Sequence, residues 1–221
     1  MFFNLAQSFN SYLILPNHFM DILIIFVILI FSAIVHEVSH GLMAERFGDD
    51  TAREEGRITL NPIPHIDPFG SILLPLLLLL AHSPIIFGAA KPVPVNFNNL
   101  RPQKLGMALV SLAGPFSNFL LAILFVIPIK LNLANAVAYP ILIEAIVINL
   151  VLGVFNLIPI PPLDGSKVVA AFLPKEWVYR LFSIERWGFV LVLIFLYTGL
   201  LSYILVPVIF WFGNLFHIVL L

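Results

Sequence analysis

Cysteine is absent from this chain, and charged residues are scarce. None of the 221 residues is Cys, which excludes both disulfide bonds and a zinc site built from thiolates. Only 10% are Asp, Glu, Lys or Arg, whereas a soluble domain has about 25%. The formal net charge is -1, which argues against a nucleic-acid partner. Any metal ion would have to be held by His, Asp or Glu.

Apolar residues are correspondingly abundant. They make up 61% of the chain, and the mean hydropathy is +1.05, whereas a soluble domain has roughly 45–50% apolar residues. This composition predicts an all-α polytopic membrane protein. A spanning helix needs about 20 apolar residues, and residues 20–44, 104–129 and 138–158 meet that requirement.

The other segments are predicted to lie beside these spans. Residues 1–19 lack Lys and Arg, so they lack the basic start of a signal peptide and read as an interfacial lead-in. We expect a membrane-embedded core over 20–170, an interfacial helix over 171–187, and one or two transmembrane segments over 188–221. Two features are expected within the core: a short extended strand at 56–61 and a re-entrant hairpin at 70–88, which Pro75 and Pro84 interrupt.

The distribution of basic residues favours the re-entrant hairpin. If 70–88 dips into the membrane and returns, then of the 11 Lys and Arg only Lys130 falls on the far side. The basic side should be cytoplasmic. A full crossing of 70–88 would weaken this bias and would put Asp164 on the membrane face opposite His36.

The strongest chemical motif is His36-Glu37-Val38-Ser39-His40, inside the first predicted span. Two histidines four apart share one helix face and can both ligate zinc, and the adjacent Glu37 is placed to activate a zinc-bound water. Two His and a Glu inside a membrane helix are too costly to be idle. If the helix ends near Arg46, His36 lies ~15 Å from the cytoplasmic boundary.

A catalytic zinc usually has three protein ligands and a water. Asp21 is excluded because it lies roughly 22 Å from His36 along the helix. Glu144 falls at the opposite membrane face. Asp164 follows the span 138–158 on the same face as the histidines, in a segment broken by Pro159, Pro161 and Pro162. It is the best candidate for the third ligand.

Three motifs together resemble the site-2 protease family of intramembrane zinc metalloproteases, in its compact prokaryotic form without a PDZ domain. They are His36-Glu37-Val38-Ser39-His40-Gly41, Ala113-Gly114-Pro115-Phe116-Ser117-Asn118, and the run from Asn156 to Gly165 that reads NLIPIPPLDG. The resemblance covers roughly residues 30–170. It implies a three-helix core, His36, His40 and Asp164 as zinc ligands, and Glu37 as catalytic base.

The expected activity is hydrolysis of a peptide bond within or near a transmembrane helix of another membrane protein. By resemblance, the substrate is an anti-sigma factor or a remnant signal peptide, and the location is a prokaryotic cytoplasmic membrane. The strand at 56–61 is expected to pair with the unwound substrate. Asn118 and Asn156 are candidates for hydrogen bonding the substrate backbone or the oxyanion; the alternative is hydrogen bonding between helices.

A divalent-metal transporter or metal-binding membrane protein is the competing interpretation, because intramembrane His and Asp suit either function. Glu37 discriminates between the two, since a transporter needs no water-activating base beside its ligands.

Overall fold

The computed structural model describes residues 19–73, 76–77, 80 and 90–220, and the part described is all-α, as predicted. Its helices are α1 (Phe19–Arg46), α2 (Thr51–Glu54), α3 (Gln103–Lys130), α4 (Ala138–Asn156), α5 (Asp164–Phe172), α6 (Lys175–Ser183), α7 (Glu185–Tyr197) and α8 (Leu200–Phe216), with a 3-10 turn at Ile63–His65 and a π-helical segment at Pro68–Leu73.

Three of the described helices are long and apolar enough to cross a membrane: Leu23–Arg46, Gln103–Lys130 and Ala138–Asn156. The chain is therefore an integral, multi-pass membrane protein. Helices α1, α3 and α4 pack on one another, and α5 packs against α3. Small buried residues of α3, Gly106, Ala113 and Gly114 among them, allow the helix backbones to approach closely.

Apolar side chains of α3, α4 and α8 pack together and join α8 to the helix bundle. The side chains of Ala122, Ile146, Leu150, Leu205 and Ile209 are almost completely buried there and form one contiguous cluster. Helix α8 thus covers the face of α4 that α1 leaves open. This packing fixes α3 and α4 against each other and so holds α3, which forms one wall of the site described below.

A buried carboxylate organises the turn after α1. Asp49 is fully buried and accepts hydrogen bonds from the Thr51 hydroxyl at 2.6 Å, the Asn99 amide at 2.9 Å and the Asn96 backbone N–H at 2.7 Å. Burial raises the pKa of Asp49, but these hydrogen bonds outweigh it and hold the pKa below its ordinary value. The turn is thereby tied to the segment that precedes α3.

The extended strand predicted at residues 56–61 is wrong: the structure has bends there, and the described residues contain no strand. The reason is that local hydrogen bonds satisfy this backbone. The Arg57 N–H donates to Ala52 O at 2.8 Å, and the Asn61 N–H donates to the Thr59 hydroxyl at 3.1 Å. No strand among the described residues is present to pair with it.

Two other predictions fall wholly or largely outside the described residues: the lead-in over 1–19, and most of the re-entrant segment over 70–88.

Toward the C-terminus, Pro174 separates α5 from α6, so the predicted interfacial segment 171–187 is not one helix. Of the predicted segment 188–221, the described residues contain the end of α7 and all of α8, and the chain turns between them at Gly199, whose φ is 69. The division of the chain into domains stays a prediction.

Candidate metal centre

His36 and His40 meet on one face of α1. Their Nε2 atoms are 3.0 Å apart, and their rings are 6% and 7% exposed. The spacing of four residues brings the two rings together on successive turns of the helix. Both Nε2 atoms point toward α3 and α5, and not toward lipid.

Asp164, the first residue of α5, completes a triangle with the two histidines. Its Oδ2 lies 3.1 Å from Nε2 of His36 and 3.1 Å from Nε2 of His40. The approach of α5 depends on Gly165, where an added Cβ would lie 2.1 Å from the carbonyl oxygen of Leu157. The residue beside the carboxylate must therefore lack a side chain.

This donor set fits a divalent cation. The three donor atoms all lie within 4.8 Å of one another and belong to buried residues. Tetrahedral zinc with ligand bonds of about 2.0–2.1 Å places its donors ~3.3 Å apart, close to the observed triangle, and zinc accepts both imidazole and carboxylate ligands. Three protein donors leave one tetrahedral position for water, as in a catalytic site.

Hydrogen bonds to the outer ring nitrogens orient both imidazoles. Nδ1 of His36 donates to Oδ1 of Asn118 at 2.6 Å, and Nδ1 of His40 donates to the carbonyl oxygen of Val110 at 2.7 Å. A proton on Nδ1 leaves the Nε2 lone pair free for a metal ion. Such partners fix the tautomer and increase the basicity of a histidine ligand.

The Asn118 side chain belongs to a fully buried polar network. Its Nδ2 donates to Oδ1 of Asn149 at 3.0 Å, and Nδ2 of Asn149 donates to the Ser32 hydroxyl at 2.9 Å. All three side chains are 0% exposed. The sequence analysis missed Ser32 and Asn149; their signal was a polar residue in a long apolar helix, with Ser32 one turn before His36.

Lys167 is a third residue that the sequence analysis missed. Its Nζ donates to Oδ1 of Asp164 at 2.9 Å, so one carboxylate oxygen faces the lysine and the other faces the histidines. The spacing of three residues along α5 brings the two side chains together. The lysine charge offsets the carboxylate and favours binding of a metal ion through Oδ2 alone.

Glu37 lies beside the histidines and is held by the backbone of a neighbouring loop. Its Oε2 accepts a hydrogen bond from the Val93 N–H at 2.7 Å. Arg57 in turn fixes this loop, because its Nη2 donates to the carbonyl oxygens of Lys91 at 2.8 Å and Pro92 at 3.2 Å. The glutamate therefore has a defined position although it is only half-buried.

A cavity of about 200 Å³ opens beside these groups. Glu37, His40 and Asp164 line it from α1 and α5, and the remaining lining residues are Pro92, Val93, Val95, Phe97, Val110, Ser111 and Lys167. The wall is mixed polar and apolar, and it joins the candidate base to the candidate metal ligands. A concave space on which a few polar groups converge is typical of a ligand site.

Of the predicted site residues, the structure brings together His36, Glu37, His40 and Asp164, with Asn118 directly behind His36. Asn118 has no exposed surface, and its side chain contacts the histidine and its own network. Asn156 is half-buried at the end of α4, where its Nδ2 donates to Leu152 O at 2.9 Å. A contact of Asn156 with substrate stays a prediction.

Comparison with known proteins agrees with this geometry. The family described as "Peptidase family M50" matches residues 128–197. The chain is 38% identical over 207 residues to "Putative zinc metalloprotease YwhC" of Bacillus subtilis, covering 90% of each protein. It is 31% identical over 183 residues to "Putative zinc metalloprotease Rip2" of Mycolicibacterium smegmatis, covering 82% of this chain and 69% of that protein. No solved structure matches the chain.

Three packed apolar helices and a buried His-His-Asp triangle beside a glutamate define a membrane metalloprotease scaffold. The 38% identity with YwhC, over 90% of each protein, identifies the family. The chain belongs to peptidase family M50, the site-2 protease family of zinc metalloproteases.

Proposed function

We propose that the protein is an intramembrane zinc metalloprotease that hydrolyses a peptide bond within or near a transmembrane helix of another membrane protein. The observation that carries the proposal is the position of Glu37, which lines the same cavity as His40 and Asp164. A metal site alone would serve transport or structure. A carboxylate beside an open coordination position is what hydrolysis requires.

The three ligands would be His36, His40 and Asp164. Zinc held there would supply Lewis acidity: it would lower the pKa of a water ligand to near neutrality and polarise a carbonyl group. Glu37 takes a proton from the attacking water as the oxygen bonds to the carbonyl carbon. The same carboxylic acid then delivers this proton to the leaving nitrogen as the C–N bond breaks, which returns Glu37 to its ionised form.

The Val93 N–H supports this role for Glu37. A hydrogen bond to Oε2 fixes the position of the side chain and leaves Oε1 to receive the proton. Asn118 acts on the same reaction indirectly, by fixing the ring of His36. We assign it a positioning role in place of the substrate contact expected from the sequence.

The proposed location is the cytoplasmic membrane of a prokaryote, with the metal centre nearer the cytoplasmic side. Support comes from the bundle itself: His36 and His40 lie toward the C-terminal end of α1, and the basic residues Arg46, Arg53 and Arg57 follow directly. The substrate class is a transmembrane protein, with anti-sigma factors and remnant signal peptides as the two specific candidates.

The test combines zinc content with cleavage of a model transmembrane substrate in detergent, for wild type, Glu37→Gln and Asp164→Ala. We expect about one zinc per chain in wild type and in Glu37→Gln, with cleavage lost in the latter by at least about 10³-fold. Asp164→Ala should lose zinc. Cleavage that survives Glu37→Gln would overturn the mechanism and favour metal transport or binding.

A further inference from the structure

Ser111 carries a buried hydroxyl group in the cavity wall, and this group has no part in the reaction proposed above. Its side chain is 1% exposed, and its Oγ has no hydrogen-bond partner among the residues that the structure describes. A helical serine usually donates to the carbonyl oxygen one turn earlier. Other serines of this chain bond locally in this way: Ser39 to Val35 O, and Ser117 to Gly114 O, both at 2.7 Å.

The position of Ser111 on α3 places it beside the metal centre. Gly114 faces the histidines, because an added Cβ there would lie 2.4 Å from Nε2 of His40 and 2.5 Å from Nε2 of His36. Ser111 precedes Gly114 by three residues and so lies on the same helix face, one turn nearer the N-terminus of α3. Its neighbour Val110 supplies the carbonyl oxygen that orients His40.

Ser111 also shares the cavity with Glu37, His40 and Asp164. The other polar side chain on that wall, Lys167, is already bonded to Asp164. Among the described lining residues, Ser111 thus supplies the one hydroxyl donor, which is buried and unpaired and lies in the same cavity as the candidate base and two of the candidate ligands. An unmade hydrogen bond at a buried group is unfavourable in the free protein, and it is recovered when a ligand supplies the acceptor.

We propose that Ser111 is a catalytic residue whose Oγ–H donates a hydrogen bond to the scissile carbonyl oxygen as negative charge develops on it. This inference rests on the proposed function and adds an oxyanion donor to it. Helix α3 fixes the backbone position of this donor before substrate binds. Such a donor acts mainly in the transition state and leaves substrate affinity nearly unchanged.

The experiment measures kcat, KM, zinc content and melting temperature of the full chain in detergent with the model transmembrane substrate. The variants are Ser111→Ala, Ser111→Thr and, as matched control on the same helix, Ser117→Ala, whose hydroxyl is satisfied within the helix. We expect Ser111→Ala to lower kcat by about 100-fold with KM and zinc unchanged. Ser111→Thr should recover most of the rate, and Ser117→Ala should behave as wild type.

Melting temperature separates catalysis from structure. Ser111→Ala removes an unpaired buried hydroxyl, so it should melt at the same temperature as wild type or higher. An unchanged kcat, a rise in KM alone, or parallel losses of kcat and stability would each overturn the assignment of Ser111. Glu37→Gln, assayed in parallel, distinguishes the two failures: if it cleaves normally the proposed function fails as well, and if it is inactive only the role of Ser111 is lost.

Discussion

Gly114 lies directly beneath the two Nε2 atoms of His36 and His40, so close that even a methyl group would collide with them. An added Cβ would stand 2.4 Å from Nε2 of His40, which is closer than a carbon atom can approach a nitrogen without a bond. The absence of a side chain at this one position of α3 is what lets two imidazoles turn inward and present their lone pairs to a common point.

Gly114→Ala should therefore remove metal binding. The methyl group would push both rings aside, and we expect loss of zinc and of all measurable cleavage. Metal analysis of the purified chain checks this. Gly153→Ala is the control: its Cβ would lie 3.0 Å from the Phe119 side chain and 3.2 Å from the carbonyl oxygen of Pro115, and neither histidine is among its nearest contacts, so zinc should be retained. Full zinc occupancy in Gly114→Ala would contradict the geometry.

Asn118→Ala should weaken zinc binding by about 10–100-fold, the usual effect of losing the partner that orients a histidine ligand. The alanine leaves Nδ1 of His36 without its acceptor at 2.6 Å and frees the ring to rotate. Competition with a chelator of known affinity measures the change. Asn156→Ala provides the comparison, because Asn156 bonds only to its own helix among the contacts described; it should keep wild-type zinc affinity.

Val93→Pro should lower kcat by about 10-fold or more without loss of zinc, since a general base contributes 10²–10⁴-fold only when correctly placed. Proline has no N–H to donate to Oε2 of Glu37. Val93→Ala is the matched variant: it loses the same methyl groups but keeps the N–H, and should retain most of the activity. Equal rates in the two variants would show that the hydrogen bond is irrelevant to Glu37.

Asp49→Asn should destabilise the protein at neutral pH by about 1–3 kcal/mol, because an amide cannot accept all the hydrogen bonds of the carboxylate. The pKa of Asp49 is lowered in the folded protein, so its contribution is present above the unfolded pKa of about 3.9 and is lost as the pH falls through that value toward the folded pKa. Melting curves of wild type and Asp49→Asn should therefore differ at pH 7 and converge as the pH falls below the lowered pKa of Asp49 in the folded protein. A difference that persists at low pH would refute the linkage.

Much of the architecture follows from local sequence alone. Membrane spans are set by the length and hydropathy of single segments, so three spans could be predicted to within a few residues of α1, α3 and α4. The pairing of His36 with His40 likewise depends only on helix periodicity. The strand expected at 56–61 failed because pairing is a tertiary property: these residues found hydrogen-bond partners within their own loop.

The class of protein and the residues that can bind metal could be predicted without coordinates, because they depend on composition, spacing and motif order. The polar residues that position those ligands became apparent only from the packed helices. Asn118 turned out to support His36, Lys167 to hold the second oxygen of Asp164, and Ser111 to stand unpaired in the cavity. The physical reason is that a hydrogen bond requires two atoms about 3 Å apart, and for residues distant in the chain that distance exists only once the helices have packed.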